Sequence, residues 1–197
     1  MCVCAYVCVC LSVCLPVCLC VCAFDIDGIL TNGGITWEGE NIGFNRTCHI
    51  HDGYGFKILR DAGILVGIIS GGDSVGMRKR FIETLKLDFV FLGNEDKRDA
   101  YKKVLALGYT DEEILYMGDE FIDLPLLKRV GFSATVPNAS YEIQEVVDYI
   151  THRESGDACA REVMDILRYA QDIKPVVLEF LWIQKKKRRS RPIVFLN

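Results

Sequence analysis

Short apolar runs alternate with amphipathic stretches along most of this chain, and that alternation constrains the fold more than any other feature. Residues 19–24, 64–69, 89–92, 114–117 and 132–135 are apolar or β-branched over the length of one strand. Runs of this kind suit strands buried on both faces. Between and after them, residues 54–62, 74–87, 96–107, 121–129, 139–147 and 157–170 carry helical periodicity. Gly63 and Gly108 stand where helix C-caps belong, and Thr110-Asp111-Glu112-Glu113 has the pattern of a capping box. Strands alternating with helices at this spacing imply right-handed crossovers. The expected fold class is α/β: a parallel sheet with helices on both faces, in three layers. In such sheets ligands bind beyond the carboxyl ends of the strands, so the residues that follow each strand matter most.

Residues 31–51 break the alternation. Thr31-Asn32-Gly33-Gly34 and the segment 39–43 read as turns, with 35–38 and 44–51 as extended arms. The expectation is a β-hairpin flap after the first strand. On a strand, His49 and His51 would face the same side, as a polar face or, less simply, a metal pair. Trp37 on the hairpin reads as a packing residue, not a cofactor platform.

The two ends differ from the rest. The first 24 residues have no charged side chain and hold eight of the ten cysteines. Cys-x-Cys neighbours on one strand face cannot easily pair with each other, and the spacing is not that of a zinc site. A signal peptide or anchor would have the length, but a basic start and a cleavage site are missing. A (TG)n repeat translates in one frame as alternating Cys and Val, which residues 2–4, 8–10 and 20–22 show. The favoured reading is therefore low-complexity DNA read as protein, replacing or preceding the true start. The chain divides into 1–18 as this Cys/Val-rich segment, 19–172 as one domain, and 173–197 as a tail with the basic run Lys185–Arg191. That run reads as a solvated terminus. A net charge of −4 with mixed signs argues against a nucleic-acid binder. No membrane partner is expected. Cys48 and Cys159 read as reduced residues of a cytoplasmic protein.

Four strand ends carry complementary polar residues: Asp25-Ile26-Asp27-Gly28, Ser70-Gly71-Gly72, Lys97, and Gly118-Asp119-Glu120 with Asp123 following. Each alone is a common turn, cap or surface charge. All four in order, each at the mouth of a parallel strand, are hard to read as punctuation. Converging carboxylates repel unless a cation sits between them, and Mg²⁺ suits a site of oxygen ligands. The cation would let an anionic phosphate approach an anionic nucleophile.

These residues resemble the haloacid dehalogenase superfamily, and within it the 3-deoxy-D-manno-octulosonate 8-phosphate (KDO 8-phosphate) phosphatase family. The resemblance rests on Phe24-Asp25-Ile26-Asp27-Gly28-Ile29-Leu30-Thr31-Asn32-Gly33, His51-Asp52-Gly53-Tyr54-Gly55, residues 118–125 and Ala160-Arg161-Glu162-Val163. It implies a capless Rossmann-like domain and a Mg²⁺-dependent phosphatase of a sugar phosphate, serving carbohydrate and lipopolysaccharide biosynthesis. Asp25 would be nucleophile and metal ligand, Asp27 general acid/base and a ligand through its carbonyl, and Asp119 the third protein ligand. Ser70 and Gly71 would bind the phosphoryl group, Lys97 would neutralise it, and Glu120 and Asp123 would support the site. The resemblance also implies a homotetramer in which the hairpin helps build the ring and a neighbouring subunit closes each site.

Two positions depart from that pattern. His51 and Gly72 stand where many members carry a basic residue. Arg80 or Arg161 would then supply the cation for the substrate's carboxylate, with His51 beside them. A nine-carbon keto-sugar acid 9-phosphate is an alternative substrate. A non-catalytic oligomerisation domain, like that fused to some sialic-acid-activating synthetases, is the reading from another class. The retention of Asp25, Asp27, Ser70, Lys97 and Asp119 favours the enzyme. A phosphotransferase or mutase is disfavoured because no sizeable cap insertion lies between Gly28 and Ser70.

Overall fold

A computed structural model of the chain describes residues 6–10, 13–16 and 19–175. Its centre is a six-stranded, all-parallel sheet. In chain order the strands are β3 (Val21–Phe24), β6 (Leu65–Ile69), β7 (Phe89–Phe91), β8 (Ile114–Met117), β9 (Phe132–Thr135) and β10 (Tyr149–Ile150). Their spatial order is β10-β9-β8-β3-β6-β7, with β3 between β6 and β8 in the middle. Upstream, β1 (Tyr6–Cys10) pairs antiparallel with β2 (Val13–Pro16). The basic run at the C-terminus lies outside the described residues. No helix among the described residues is long and apolar enough to cross a membrane.

Strand alternation assigns the two cores. Cys22 and Phe24 point to one face of β3, where they meet α1 (Ile50–Asp61) and α6 (Cys159–Ala170) through Phe56, Leu59, Val163 and Leu167. Val21 and Ala23 point to the other face, toward α3 (Arg98–Leu105), α4 (Leu124–Leu127) and α5 (Tyr141–Gln144). Burying each large apolar side chain contributes about 1.5–3 kcal/mol, so the two cores together hold the three layers. The expected α/β sandwich is what the chain forms.

Several elements differ from the sequence reading. Helix α1 begins at Ile50, so the hairpin's return arm is only β5 (Phe44–Asn45), paired with β4 (Thr36–Trp37). His49 caps α1, its ring accepting from the His51 backbone N–H, and Asp52 sits in the first turn where it favours the positive helix end. His49 and His51 are thus neighbours at a helix start rather than on a strand face, their rings 4.8 Å apart. The segment expected at 121–129 is a tight turn, Phe121–Asp123, leading into the short α4. The helix at 74–87 is shorter: α2 (Val75–Met77) runs on as a wider-turned segment, Arg78–Thr84. Strand β10 was too short to leave a period.

The motif Asp52-Gly53-Tyr54-Gly55 has a packing explanation. Asp52 accepts a hydrogen bond from the Arg161 backbone N–H at 2.8 Å, tying the start of α6 to α1. A Cβ on Gly53 would lie 2.5 Å from the Arg80 guanidinium, and one on Gly55 would lie 2.6 Å from Met164. The helices meet closely because both positions lack side chains.

On β6, between β3 and the edge strand β7, Gly67 lies opposite Phe89, and an added Cβ would meet the Phe89 ring at 2.2 Å. Gly67→Ala is expected to destabilise the fold by about 1–3 kcal/mol, as overpacking does. Urea unfolding followed by circular dichroism checks this; an unchanged midpoint would show that the ring is free to move aside.

Candidate active site

Every strand end singled out above faces the same rim. Asp25 follows β3, its N–H bonded to the Met117 carbonyl at 2.9 Å, and Ser70 follows β6, its N–H bonded to the Phe91 carbonyl at 2.9 Å. Lys97 comes from the loop after β7, and Asp119 follows β8. The parallel register puts these positions side by side, which is why one cluster can draw on four strands. Gly28 has φ +85°, and a Cβ there would lie 1.9 Å from Asp119 Oδ2. Only glycine satisfies both the turn and the approach of Asp119.

Lys97 is the electrostatic centre. Its ammonium is buried, 3.1 Å from Asp25 Oδ1 and 2.5 Å from Asp123 Oδ1. Burial alone would lower its pKa, but Asp25 and Asp123 outweigh that and hold it above the usual lysine value. Asp123 is saturated by donors: Lys97, the Tyr116 hydroxyl at 2.5 Å, and the backbone N–H groups of Asp119 and Glu120, both at 3.1 Å. The Tyr116 hydroxyl is kept protonated, chiefly by burial and then by Asp123.

The remaining carboxylates fit a cation. Oxygens of Asp25, Asp119 and Asp123 lie within 4.8 Å of one another, and Asp119 Oδ1 is buried with no hydrogen-bond partner among the described residues. Burial and then the Asp123 charge raise the Asp25 pKa. Burial and then the Asp25 charge push Asp119 up to about 8. Because Asp123 is committed to its four donors, Asp25 and Asp119 are the side chains with ligand capacity to spare. Glu120 is exposed and accepts from the Phe121 N–H at 2.7 Å, so it caps the turn instead of joining the cluster.

Asp27 is held apart from that cluster. Its Oδ1 accepts from Arg46 Nε at 2.6 Å and from the Thr31 hydroxyl at 3.2 Å. Arg46 and Tyr116 are site residues that sequence reasoning missed. A signal for Arg46 existed, since it is the sole basic residue between Thr31 and Cys48. Tyr116 sits inside an apolar strand, where an aromatic reads as core.

The expected substrate-binding cations separate. Arg80 lines a cavity of about 290 Å³ together with Ile26, Asn45, Arg46, Cys48 and Met77. No ion pair engages its guanidinium among the described residues. Arg161 instead pairs with Asp165 at 3.0 Å and reaches the His51 carbonyl at 3.4 Å. His51 is exposed at the start of α1. Arg161 and His51 therefore do not join Arg80 in lining this cavity. Gly71 lies partly exposed beside Ser70.

Fold and site together define a class, the haloacid dehalogenase-like hydrolases, and within it a phosphatase. The haloacid dehalogenase-like hydrolase family model matches residues 87–163. The 3-deoxy-D-manno-octulosonate 8-phosphate phosphatase of Haemophilus influenzae is 35% identical over 150 residues, 75% of this chain and 81% of that protein. The crystal structure of the Yersinia pestis phosphatase of the same name aligns with TM-score 0.76 at 29% identity, over 86% of this chain and 94% of that one. The Moraxella catarrhalis phosphatase, solved with magnesium, phosphate and KDO, aligns with TM-score 0.76 at 29% identity, over 83% and 93%. This chain belongs to the 3-deoxy-D-manno-octulosonate 8-phosphate phosphatase family.

The raised acids give a pH signature. A carboxylate whose folded pKa lies above its unfolded value, about 4, stabilises the fold less as pH rises through that interval. With EDTA present, the melting temperature is expected to fall between about pH 5 and 8, the window set by Asp119. Saturating Mg²⁺ is expected to raise it more at pH 8 than at pH 5. Differential scanning fluorimetry at both pH values checks this; an equal Mg²⁺ shift would show that these carboxylates do not bind the ion.

Proposed function

We propose that this chain hydrolyses the phosphate monoester of a keto-sugar acid such as KDO 8-phosphate, in two steps through an aspartyl-phosphate on Asp25. The observation that carries this reading is the buried Asp25 carboxylate with Lys97 3.1 Å to one side and the partnerless Asp119 oxygen near it. A carboxylate in that position is a nucleophile only if its charge and the phosphate's are offset. Lys97 offsets part of it, and a Mg²⁺ ion held by Asp25, Asp119 and the Asp27 carbonyl would supply the rest.

In the first step an Asp25 oxygen bonds to phosphorus as the bond to the sugar oxygen breaks. The departing oxygen keeps the electron pair and takes a proton from Asp27. In the second step Asp27 takes a proton from water as that water's oxygen bonds to phosphorus and frees Asp25. Ser70 and the Gly71 backbone bind the phosphoryl oxygens. Asp123 and Tyr116 position Lys97 throughout.

Arg80 supports the choice of an acidic sugar. A guanidinium without an ion pair among the described residues, lining a cavity next to Arg46 and Ile26, suits a substrate carboxylate. The KDO bound to the Moraxella relative supports the same class. The retained carboxylates favour catalysis over a purely structural module. The exposed Trp37 and Phe44, which pair edge-to-face across the hairpin at 5.0 Å, suit burial against other subunits of a tetramer. Residues 19–172 are the catalytic unit, in the cytoplasm.

Three outcomes test this reading. Phosphate release from a panel holding KDO 8-phosphate, a nine-carbon keto-sugar acid 9-phosphate and neutral sugar phosphates is expected to require Mg²⁺ and favour the acids. Asp25→Asn is expected to reduce it by about 10³-fold or more; retained activity would remove Asp25 as nucleophile. Deleting residues 1–16 is expected to leave both kcat and the melting temperature unchanged. A collapse in solubility would instead make that segment part of the fold.

A further inference from the structure

We propose that Arg46, reaching in from the hairpin, is the residue that positions Asp27 for proton transfer, and that the missing side chain at Gly72 is what gives it room. This inference rests on the reading of Asp27 as the general acid. Arg46 lies just after β5, and its side chain is only 12% exposed although the hairpin itself projects into solvent. Its Nε and the Thr31 hydroxyl both donate to the same oxygen, Asp27 Oδ1. Two donors from different elements hold that oxygen in place, and the rigid, planar guanidinium fixes the direction of the Nε–H bond.

The other oxygen is left for chemistry. A Cβ built on Gly72 would stand 2.9 Å from Asp27 Oδ2 and 3.3 Å from Arg46 Nη2. Both groups therefore lie over the bare backbone of Gly72, and a side chain there would press on each. When Asp27 carries its proton on Oδ2, Oδ1 is carbonyl-like and still accepts from Arg46 and Thr31. The anchoring thus survives both protonation states. As the bond from phosphorus to the leaving oxygen breaks, that oxygen takes the Oδ2 proton, and Asp27 is left ionised against Arg46. A single partly buried ion pair adds little to stability, but one that aims a general acid acts on the barrier instead.

The pairing also accounts for the two residues together. Arg46 is the one cation of the hairpin, and Gly72 is a backbone position in the loop after β6; nothing in the chain's order links them. They come together around Asp27, with Arg46 Nη2 lying over the bare backbone of Gly72. The hairpin consequently contributes to the reaction itself and not only to the surface.

Leaving-group dependence tests the proposal. kcat/KM reports the steps through leaving-group departure, so hydrolysis of the shared intermediate does not enter. It is measured with Mg²⁺ for p-nitrophenyl phosphate, whose leaving oxygen needs little protonation, and for alkyl phosphates, whose leaving oxygen needs a proton. Asp27→Asn and Arg46→Met are both expected to lose about 10²-fold on the alkyl esters and no more than about tenfold on p-nitrophenyl phosphate. Arg46→Lys should recover most of the loss, and Gly72→Ala should reproduce the same selectivity in weaker form. If Arg46→Met does not fold, Gly72→Ala and Arg46→Lys carry the comparison. Equal losses on all esters in the Arg46 and Gly72 variants, with Asp27→Asn selective, would overturn the role of Arg46 and leave a structural tie. No selectivity in Asp27→Asn would instead remove Asp27 as the acid, a different failure.

Discussion

A buried ammonium between two aspartates is the interaction on which the rest of this site depends. Lys97 stands between Asp25 and Asp123 with no access to solvent. An isolated charge there would be prohibitive, and removing either carboxylate would strand the others. The three charges hold each other, and Tyr116 and two backbone N–H groups complete the shell of Asp123. The loop after β8 is thereby pinned to the loop after β7, which fixes Asp119 near Asp25. The excess negative charge that remains suits the cluster to a cation.

The parallel sheet makes this arrangement possible at little cost. Its strands all end on the same rim, so four short polar segments far apart in sequence become neighbours without a long loop. The two cores need only apolar side chains, which leaves the rim residues free of packing duties. Where helices must come close, as at Gly53 and Gly55, the chain removes side chains rather than moving the backbone.

Much of this was legible in the sequence. Strands β8 and β9 are read to the residue, because an apolar run buried on both faces has sharp polar borders. Asp25, Ser70, Lys97 and Asp119 could be placed on one rim from strand ends alone. Contacts that depend on tertiary geometry were not legible. The start of α1 at Ile50 was hidden because His49 is an uncommon cap and the hairpin pattern ran into it. Arg46 was hidden because its partner, Asp27, lies nineteen positions away across a turn. Arg161 was assigned to the substrate by type, yet its fork is taken by Asp165 and the His51 carbonyl. A charged residue's chemistry can be read from its type, but its partner cannot.

The end of α6 and the start of the domain are stitched together: Gln171 Nε2 donates to the Leu19 carbonyl at 2.9 Å. Leu19 precedes β3 at the pole of the sheet opposite Asp25, so both extremities of the folded unit leave from the blunt end, remote from the reacting rim. An extension at either extremity therefore starts from that pole, at the end of β3 away from the residues of the candidate site.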